Sequence, residues 1–304
     1  MTRSERHPEE DGPALLRRIL SERRSAWERI ELSRLAAGGK LPKGEAWKRR
    51  YLEPLALADT DWPTLPGSWA WASLDQITGL ITSGSRAWSP YYGRGAGTFI
   101  MAQNVRPGRF TPVPRQLVDP PANDPERERT RVKRDDILVT IVGANTGNAC
   151  RVNADLTDNY VCQSVGLLRP VVPELAAFIE TYMTSSAGGQ AAFKQVMYGA
   201  GRPHLSFDQL RALPIPIPPL SEQSQIAVEL SNHVVDDGHD EICGTGSERR
   251  TTDLRRSILH AAFSGRLVPQ DPADEPAATL LAHVCADATQ PAPSRRSNRA
   301  GARR

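Results

Sequence analysis

The sequence predicts an α+β protein, a loop-rich domain of strands and helices accompanied by a few long helices. Three observations predict it. A helical period runs from Pro13 to Leu35, short β-branched runs broken by Gly, Pro, Asn and Asp fill residues 69–170, and helical patterning returns after Pro173. With 304 residues, 39% of them apolar and 24% charged, the chain can bury one substantial core and still carry appended elements. Its 25 prolines and 23 glycines foretell many loops.

The first helix is expected over PALLRRILSERRSAWERIELSRL, with Leu16, Ile19, Leu20, Trp27 and Ile30 on one face. Pro13 suits a first turn, and Gly38-Gly39 ends the run. A basic, partly aromatic stretch, KLPKGEAWKRRYLEP, and a proline-bounded connector lead to Trp62. WAWASL, GTFIMAQNV, DDILVTIVG and YVCQSVGLLRP then read as strands. PELAAFIETYMTSS is a helix, and a further one opens with Ser206 and Gln209 at capping-box spacing. In LPIPIPP the prolines 214, 216, 218 and 219 remove backbone donors, so this is an edge strand or a polyproline-like extension. Ser221 is the expected N-cap of the helix behind it, whose apolar stripe begins at Ile226 and Leu230. Gly238, Gly244 and Gly246 interrupt that helix, each costing roughly 1 kcal/mol relative to alanine. TDLRRSILHAAF forms another, with Leu254, Ile258 and Ala262 at helical spacing and Gly265 as its stop. DPADEPAATLLAHV near the end echoes PEEDGPALLRRI near the start.

Composition also excludes functions. The opening MTRSERHPEEDG has no apolar core of a signal peptide, and no window approaches the roughly 18 apolar residues of a membrane helix, so a cytoplasmic location is expected. Cys150, Cys162, Cys243 and Cys285 are far apart and form neither a disulfide framework nor a zinc ribbon. GRGAG at 93–97 lacks the spacing of a nucleotide loop. DPPA at 119–122 lacks the ring that a base-flipping (D/N)PP(Y/F) loop places last. The acid- and histidine-rich run 233–243 fits no metal geometry. No nucleophile or carboxylate pair sits in a catalytic motif, so no catalytic residue, metal or cofactor is expected, and the chain reads as a binding protein.

The distribution of charge suggests what it binds. Net charge is only +3, and the five arginines of a Pro/Ser/Arg-rich tail at 289–304 account for more than all of it. Residues 76–118, by contrast, hold Arg86, Arg94, Arg106, Arg109 and Arg115 with Trp88, Tyr91 and Tyr92 and no acid. That is a composition for phosphate attraction with contacts to bases or sugars. Four loops carry suitable side chains: TSGSR, AQN, GANTG and YGAGRPH. From them Ser85, Arg86, Gln103, Asn104, Asn145, Thr146, Arg202 and His204 are the candidate DNA-contacting residues, because arginine pairs with guanine and amides with adenine.

Taken in order, W71xxL74, FIMAQNV, RDDILVTIVGANTG, LPIPIPPLSEQSQIAVEL and LRRSILHAAFSGRLV resemble the DNA-specificity (S) subunit of type I restriction-modification systems. The resemblance spans roughly residues 10–285 and is carried most specifically by PIPPLSEQ with Ile226 and by 254–268. It implies a mixed α/β target-recognition domain flanked by long helices that form an antiparallel, coiled-coil-like spacer, in a non-catalytic subunit of a complex whose partners modify adenine and cleave DNA. Carried over, 1–12 is a flexible start, 13–61 a helical conserved region with its connector and 62–217 a target-recognition domain. Residues 218–268 are a distal conserved helical region and 269–304 a largely disordered basic tail. The implied partners are double-stranded DNA, methyltransferase (modification) subunits and a restriction subunit, with the helices bearing Ile226, Leu230, Leu254, Ile258 and Ala262 as spacer and dock. One recognition domain instead of the family's usual two implies pairing with itself or with a second half-size chain, to read a bipartite site. The alternative is a loop-rich DNA-binding or regulatory module, or a specificity remnant, without a methyltransferase partner.

Overall fold

The computed structural model describes residues 10–58, 62–84, 87–199, 203–226 and 257–261. Its first element is α1 (Gly12–Ala37), capped by the Asp11 carboxylate, which accepts from Ala14 N at 2.7 Å. Leu15 and Ile19, one helical turn apart, are fully buried in the main core. Leu16 and Leu20 are half-buried, whereas Ile30 is 69% exposed. The predicted stripe therefore meets the domain only in its first half. Beyond it, a 3-10 turn at Glu45–Arg50 folds the basic segment back on the helix: Trp47 stacks on Trp27 at 5.9 Å, and Tyr51 meets the same indole edge-on at 5.3 Å. Lys48 and Arg50 pair with Glu28 and Glu31 of the helix. The sequence showed basic and aromatic residues in this segment; the structure makes them a strap.

The domain that follows is built from β1 (Ala70–Ser73), α2 (Leu74–Ile77), β2 (Thr78–Ser83), β3 (Tyr92–Ile100), β4 (Val105–Arg106), β5 (Arg109–Phe110) and β6 (Gln116–Val118). It continues with α3 (Pro125–Thr130), β7 (Ile137–Thr140), β8 (Ala149–Arg151), β9 (Asn159–Val161), β10 (Val165–Pro170), α4 (Ala176–Thr184), α5 (Gly189–Val196), α6 (Phe207–Arg211) and β11 (Pro214–Ile217). An antiparallel sheet in the order β2-β10-β7-β8 forms the middle layer. One of its faces, with Ile137, Val139 and Leu168, packs on α1, α4, α5 and α6. The other, with Leu138, Cys150, Val165 and Leu167, packs on a smaller sheet, β6-β3-β9. Burial on both faces explains why DDILVTIVG reads as a continuous apolar run and not as an alternation.

The proline-rich strand closes the domain. β11 pairs antiparallel with β1 in the register Ala70↔Ile217, Ala72↔Ile215. Antiparallel partners exchange hydrogen bonds at every second residue, so Ile215 and Ile217 supply the donors while Pro214 and Pro216 occupy the positions that need none. Ile215 and Ile217 are fully buried. Gly12 lets α1 press on this ribbon, since a Cβ there would lie 2.2 Å from Ile217 O. The helix behind begins at residue 220, one residue ahead of the cap predicted at Ser221. Pro219 O already accepts from Gln223 N at 3.0 Å, which places Ser221 inside the first turn. Glu222 accepts from the Trp69 indole at 2.9 Å, and Gln223 donates to Pro218 O at 2.7 Å, so this turn is tied to both strands of the ribbon at one end.

Ile226 and Leu259 are buried in the main core and Ile258 packs against it, so these helix pieces join the start of α1. Leu230, Leu254 and Ala262, and with them the predicted spacer and its glycine interruption at 238–246, lie outside the described residues, as does the histidine-rich run 233–243. Among the described residues no group of His, Cys, Asp or Glu is placed to hold a metal, and no helix is long and apolar enough to cross a membrane.

Candidate nucleic-acid interface

Strand direction gathers the candidate loops at one edge. β2 ends at Ser83 opposite the start of β10, in the pair Gly166↔Ser83. The same start of β10 faces the end of β7, in Val165↔Thr140, and β7 in turn faces the start of β8, in Val139↔Ala149. In the second sheet β3 and β9 run parallel and finish together at Ile100↔Val161, and the turn 162–164 carries the chain from β9 into β10. The turn after β2, the AQN turn after β3, the GANTG loop and the CQS turn therefore all emerge on this edge. The segment after α5 joins them: Pro203 O accepts from Gly143 N at 3.1 Å, and Leu205 N donates to Ile141 O at 2.9 Å. So does the β4–β5 hairpin, whose Gly108 N donates to Ala149 O at 2.9 Å.

None of these segments, 84–86, 101–111, 141–149, 162–166 and 197–206, contains Asp or Glu. The opposite ends of the same strands are flanked by Asp75, Asp135, Asp136, Asp155, Asp158 and Glu174. Topology thus separates an acid-free edge from one where Asp75, Asp135, Asp136, Asp155 and Asp158 are matched by arginines. On the hairpin, Arg106 and Arg109 face each other across the two strands, are exposed and make no side-chain hydrogen bond or ion pair with another described residue. Arg94 is likewise exposed at a bulge of β3, where Tyr92 and Gly97 both pair with Val118. This bulge is what GRGAG builds.

The candidate residues divide. Asn145 is exposed at the tip of its loop, and Gln103 is half-exposed with its amide unspent on described residues. Thr146 braces the loop, its hydroxyl donating toward Gly143 O and Pro203 O at 2.7 and 2.9 Å. His204 bridges Tyr198 and Val142, meets the Tyr198 ring at a tilt with centroids 5.0 Å apart and keeps a buried Nδ1 without a partner among the described residues. Asn104 is 1% exposed and fully spent: Oδ1 accepts from Met101 N, and Nδ2 donates to Thr111 O and Pro114 O. Its place is inside the turn that holds Gln103, with no group left for a base. Ser85, Arg86 and Arg202 lie outside the described residues. Trp88 is no stacking surface either, being fully buried against Tyr160 with its indole on Asp124 at 2.7 Å. Gln163, exposed at the CQS turn, escaped the sequence reading because YVCQSVGLLRP reads as one strand.

Away from this edge several arginines of the domain are occupied, although Arg94 at the bulge is not among them. Arg169 grips the buried Asp136 carboxylate with two bonds of 2.7 Å, and Lys133 N adds a third. Burial pushes the Asp136 carboxyl up, and Arg169 opposes the rise. Arg131 binds Asp158 and Glu128, Arg134 binds Asp155, Arg151 binds Asp135, and Arg129 pairs with Glu126. Glu180 accepts from the backbone N–H of Arg151 at 2.6 Å on the edge strand β8, and burial pushes its carboxyl up. Burial also raises both described thiols, Cys150 to about 12, so neither is a reactive thiolate.

The structure is thus a mixed α/β domain that presents loops from one edge, with helices before and after it. Residues 126–236 match the family model described as the type I restriction modification DNA specificity domain. The chain is 28% identical over 153 residues to the type I restriction enzyme EcoBI specificity subunit of Escherichia coli, a stretch covering 50% of this chain and 32% of that one. It thus spans about a third of the length of the curated relative it matches. Among solved structures it is similar to the HsdS subunit from Thermoanaerobacter tengcongensis, with 20% identity, a TM-score of 0.42 and coverage of 84% of this chain and 56% of the other. It is also similar to the type I restriction-modification S subunit from M. genitalium, with 16% identity, a TM-score of 0.37 and coverage of 56% and 42%.

Proposed function

We propose that the chain is the DNA-specificity subunit of a type I restriction-modification complex, reading part of a bipartite duplex target with the loop edge of its domain and docking methyltransferase subunits through its helices. The observation that carries the reading is the gathering of five acid-free loop segments on one edge, with Arg106 and Arg109, on the hairpin of one of them, unpaired among the described residues. Guanidinium groups with no internal partner hold phosphates, and amides on braced loops address base edges in the groove. The recognition unit is residues 62–217, closed by the β1–β11 ribbon, with 13–61 and 218–268 as the helical regions that set its position; a second copy or a second specificity chain supplies the other half of the target.

The chain itself performs no chemistry in this reading; adenine methylation and cleavage belong to its partners, in the cytoplasm. Tagged chain coexpressed with the modification subunit from its own locus is expected to recover that subunit and to retain one duplex sequence from a mixture. Recovery of the chain alone, still bound to DNA, would instead support a stand-alone DNA-binding module.

A further inference from the structure

The turn between β9 and β10 is the most firmly mounted point on the loop edge. Cys162 N donates to Ile100 O at 2.9 Å, Cys162 O accepts from Gly84 N and Val165 N at 3.1 Å each, and Ser164 O accepts from Ile141 N at 2.9 Å. The buried Cys162 Sγ accepts from Ser164 N at 3.4 Å. Through its bond to Ile100 O, Cys162 fastens the end of β9 to the end of β3, and each strand end leads into a turn that carries a glutamine: Gln103 after β3, and Gln163 after Cys162. Gln163 is exposed, and its side-chain amide bonds to no described residue. Gln103 is half-exposed on a turn whose interior Asn104 fills.

An exposed glutamine usually wanders among rotamers, and nothing in an ordinary surface turn would aim it. Here the backbone beneath it is tied to β2, β3 and β7 at once, which leaves only the side-chain torsions to be ordered by a ligand. A carboxamide offers a donor and an acceptor side by side, the pattern that matches N7 and N6 of adenine in the major groove. Lying among acid-free turns, it can approach DNA without meeting a like charge on its own loop.

We propose that Gln163, mounted beside Gln103 on the Cys162 fastening, is a specificity-determining residue that reads an adenine in the duplex target. This inference rests on the DNA-recognition reading above. Gln163 sets preference at one position, while Arg106 and Arg109 supply affinity without regard to sequence.

The test is selection from a random-sequence duplex DNA library by the full chain together with the subunits that copurify with it, using wild type, Gln163→Ala, Gln163→Glu and Arg109→Ala. Wild type is expected to enrich a motif containing an A·T pair that Gln163→Ala no longer specifies, the other positions being kept. Gln163→Glu is expected to move that position toward C·G, because a carboxylate accepts from cytosine N4. Arg109→Ala is expected to keep the motif and lose overall yield. An unchanged motif in both Gln163 variants overturns the inference and leaves DNA recognition standing. No motif from wild type overturns both.

Discussion

Arginines on the loop edge and arginines on the rest of the domain differ in what they hold. Arg106 and Arg109 are exposed and unpaired among described residues, whereas Arg127, Arg129, Arg131, Arg134, Arg151 and Arg169 each face a carboxylate. The two groups are the same residue type in one small domain, so composition cannot separate them. Their partners can: a guanidinium matched by an internal acid is spent on the fold, and one left unmatched is free for an external anion. This division predicts variants that damage folding and spare binding, and others that do the reverse.

The largest effect is expected at Arg169. Its loss strands the Asp136 carboxylate, which is 1% exposed, and removing one partner of a buried pair costs about 3–5 kcal/mol. Arg169→Ala should lower the urea midpoint sharply; a midpoint equal to wild type would break the distinction between spent and free arginines. Next comes Gly84, where a Cβ would lie 1.8 Å from Val161 O, in the backbone that joins the two sheets at the loop edge. Gly84→Ala should cost about 1–3 kcal/mol by overpacking and should weaken DNA retention as well, because it moves the turn beneath the candidate readers.

The hairpin supplies the converse. Arg106→Ala with Arg109→Ala should leave unfolding within about 0.5 kcal/mol of wild type. It should reduce the slope of log affinity against log salt by about 1 for each phosphate contact removed, measured by fluorescence anisotropy on a duplex. The smallest effect is expected from Glu180. Its folded carboxyl binds a proton more tightly than the unfolded chain does, so its contribution is present at low pH and is lost as pH rises through the carboxylate range. Glu180→Gln can still accept from Arg151 N. Its stability relative to wild type should therefore rise from about pH 4 to about pH 7, near which unfolded glutamates are fully ionised. A flat difference in paired urea melts would contradict this.

Much of the architecture was legible where local chemistry and tertiary packing agree. The α1 boundaries follow from Pro13 and Gly38, and the Ser206–Gln209 capping box is present with both bonds formed. PIPI is legible as a strand because its prolines fall on alternate positions, which suits an outward-facing ladder. β6, α3 and α5 passed unnoticed: three residues carry too little period, and PERERT and GQAAFKQV are shaped by what they pack against. Burial of polar and aromatic side chains was the hardest property to read. Asn104 and Trp88 have the chemistry of DNA contacts and the positions of core residues, a difference that only the folded path of β3 reveals. Gln163 is the reverse case. Its turn has no glycine, proline, asparagine or aspartate, and is made by Cys162, which sequence patterning counts as part of a strand.

The central claim, that the loop edge faces DNA, is tested most directly by position-specific cross-linking. A photo-reactive side chain at position 145 on the GANTG loop, or at 155 beyond β8, is introduced into the full chain, which is then irradiated with duplex DNA. The account predicts adducts from position 145, lost when salt releases the complex, and none above background from 155. Adducts from position 155 without any from 145 would put DNA on the opposite end of the domain and contradict it.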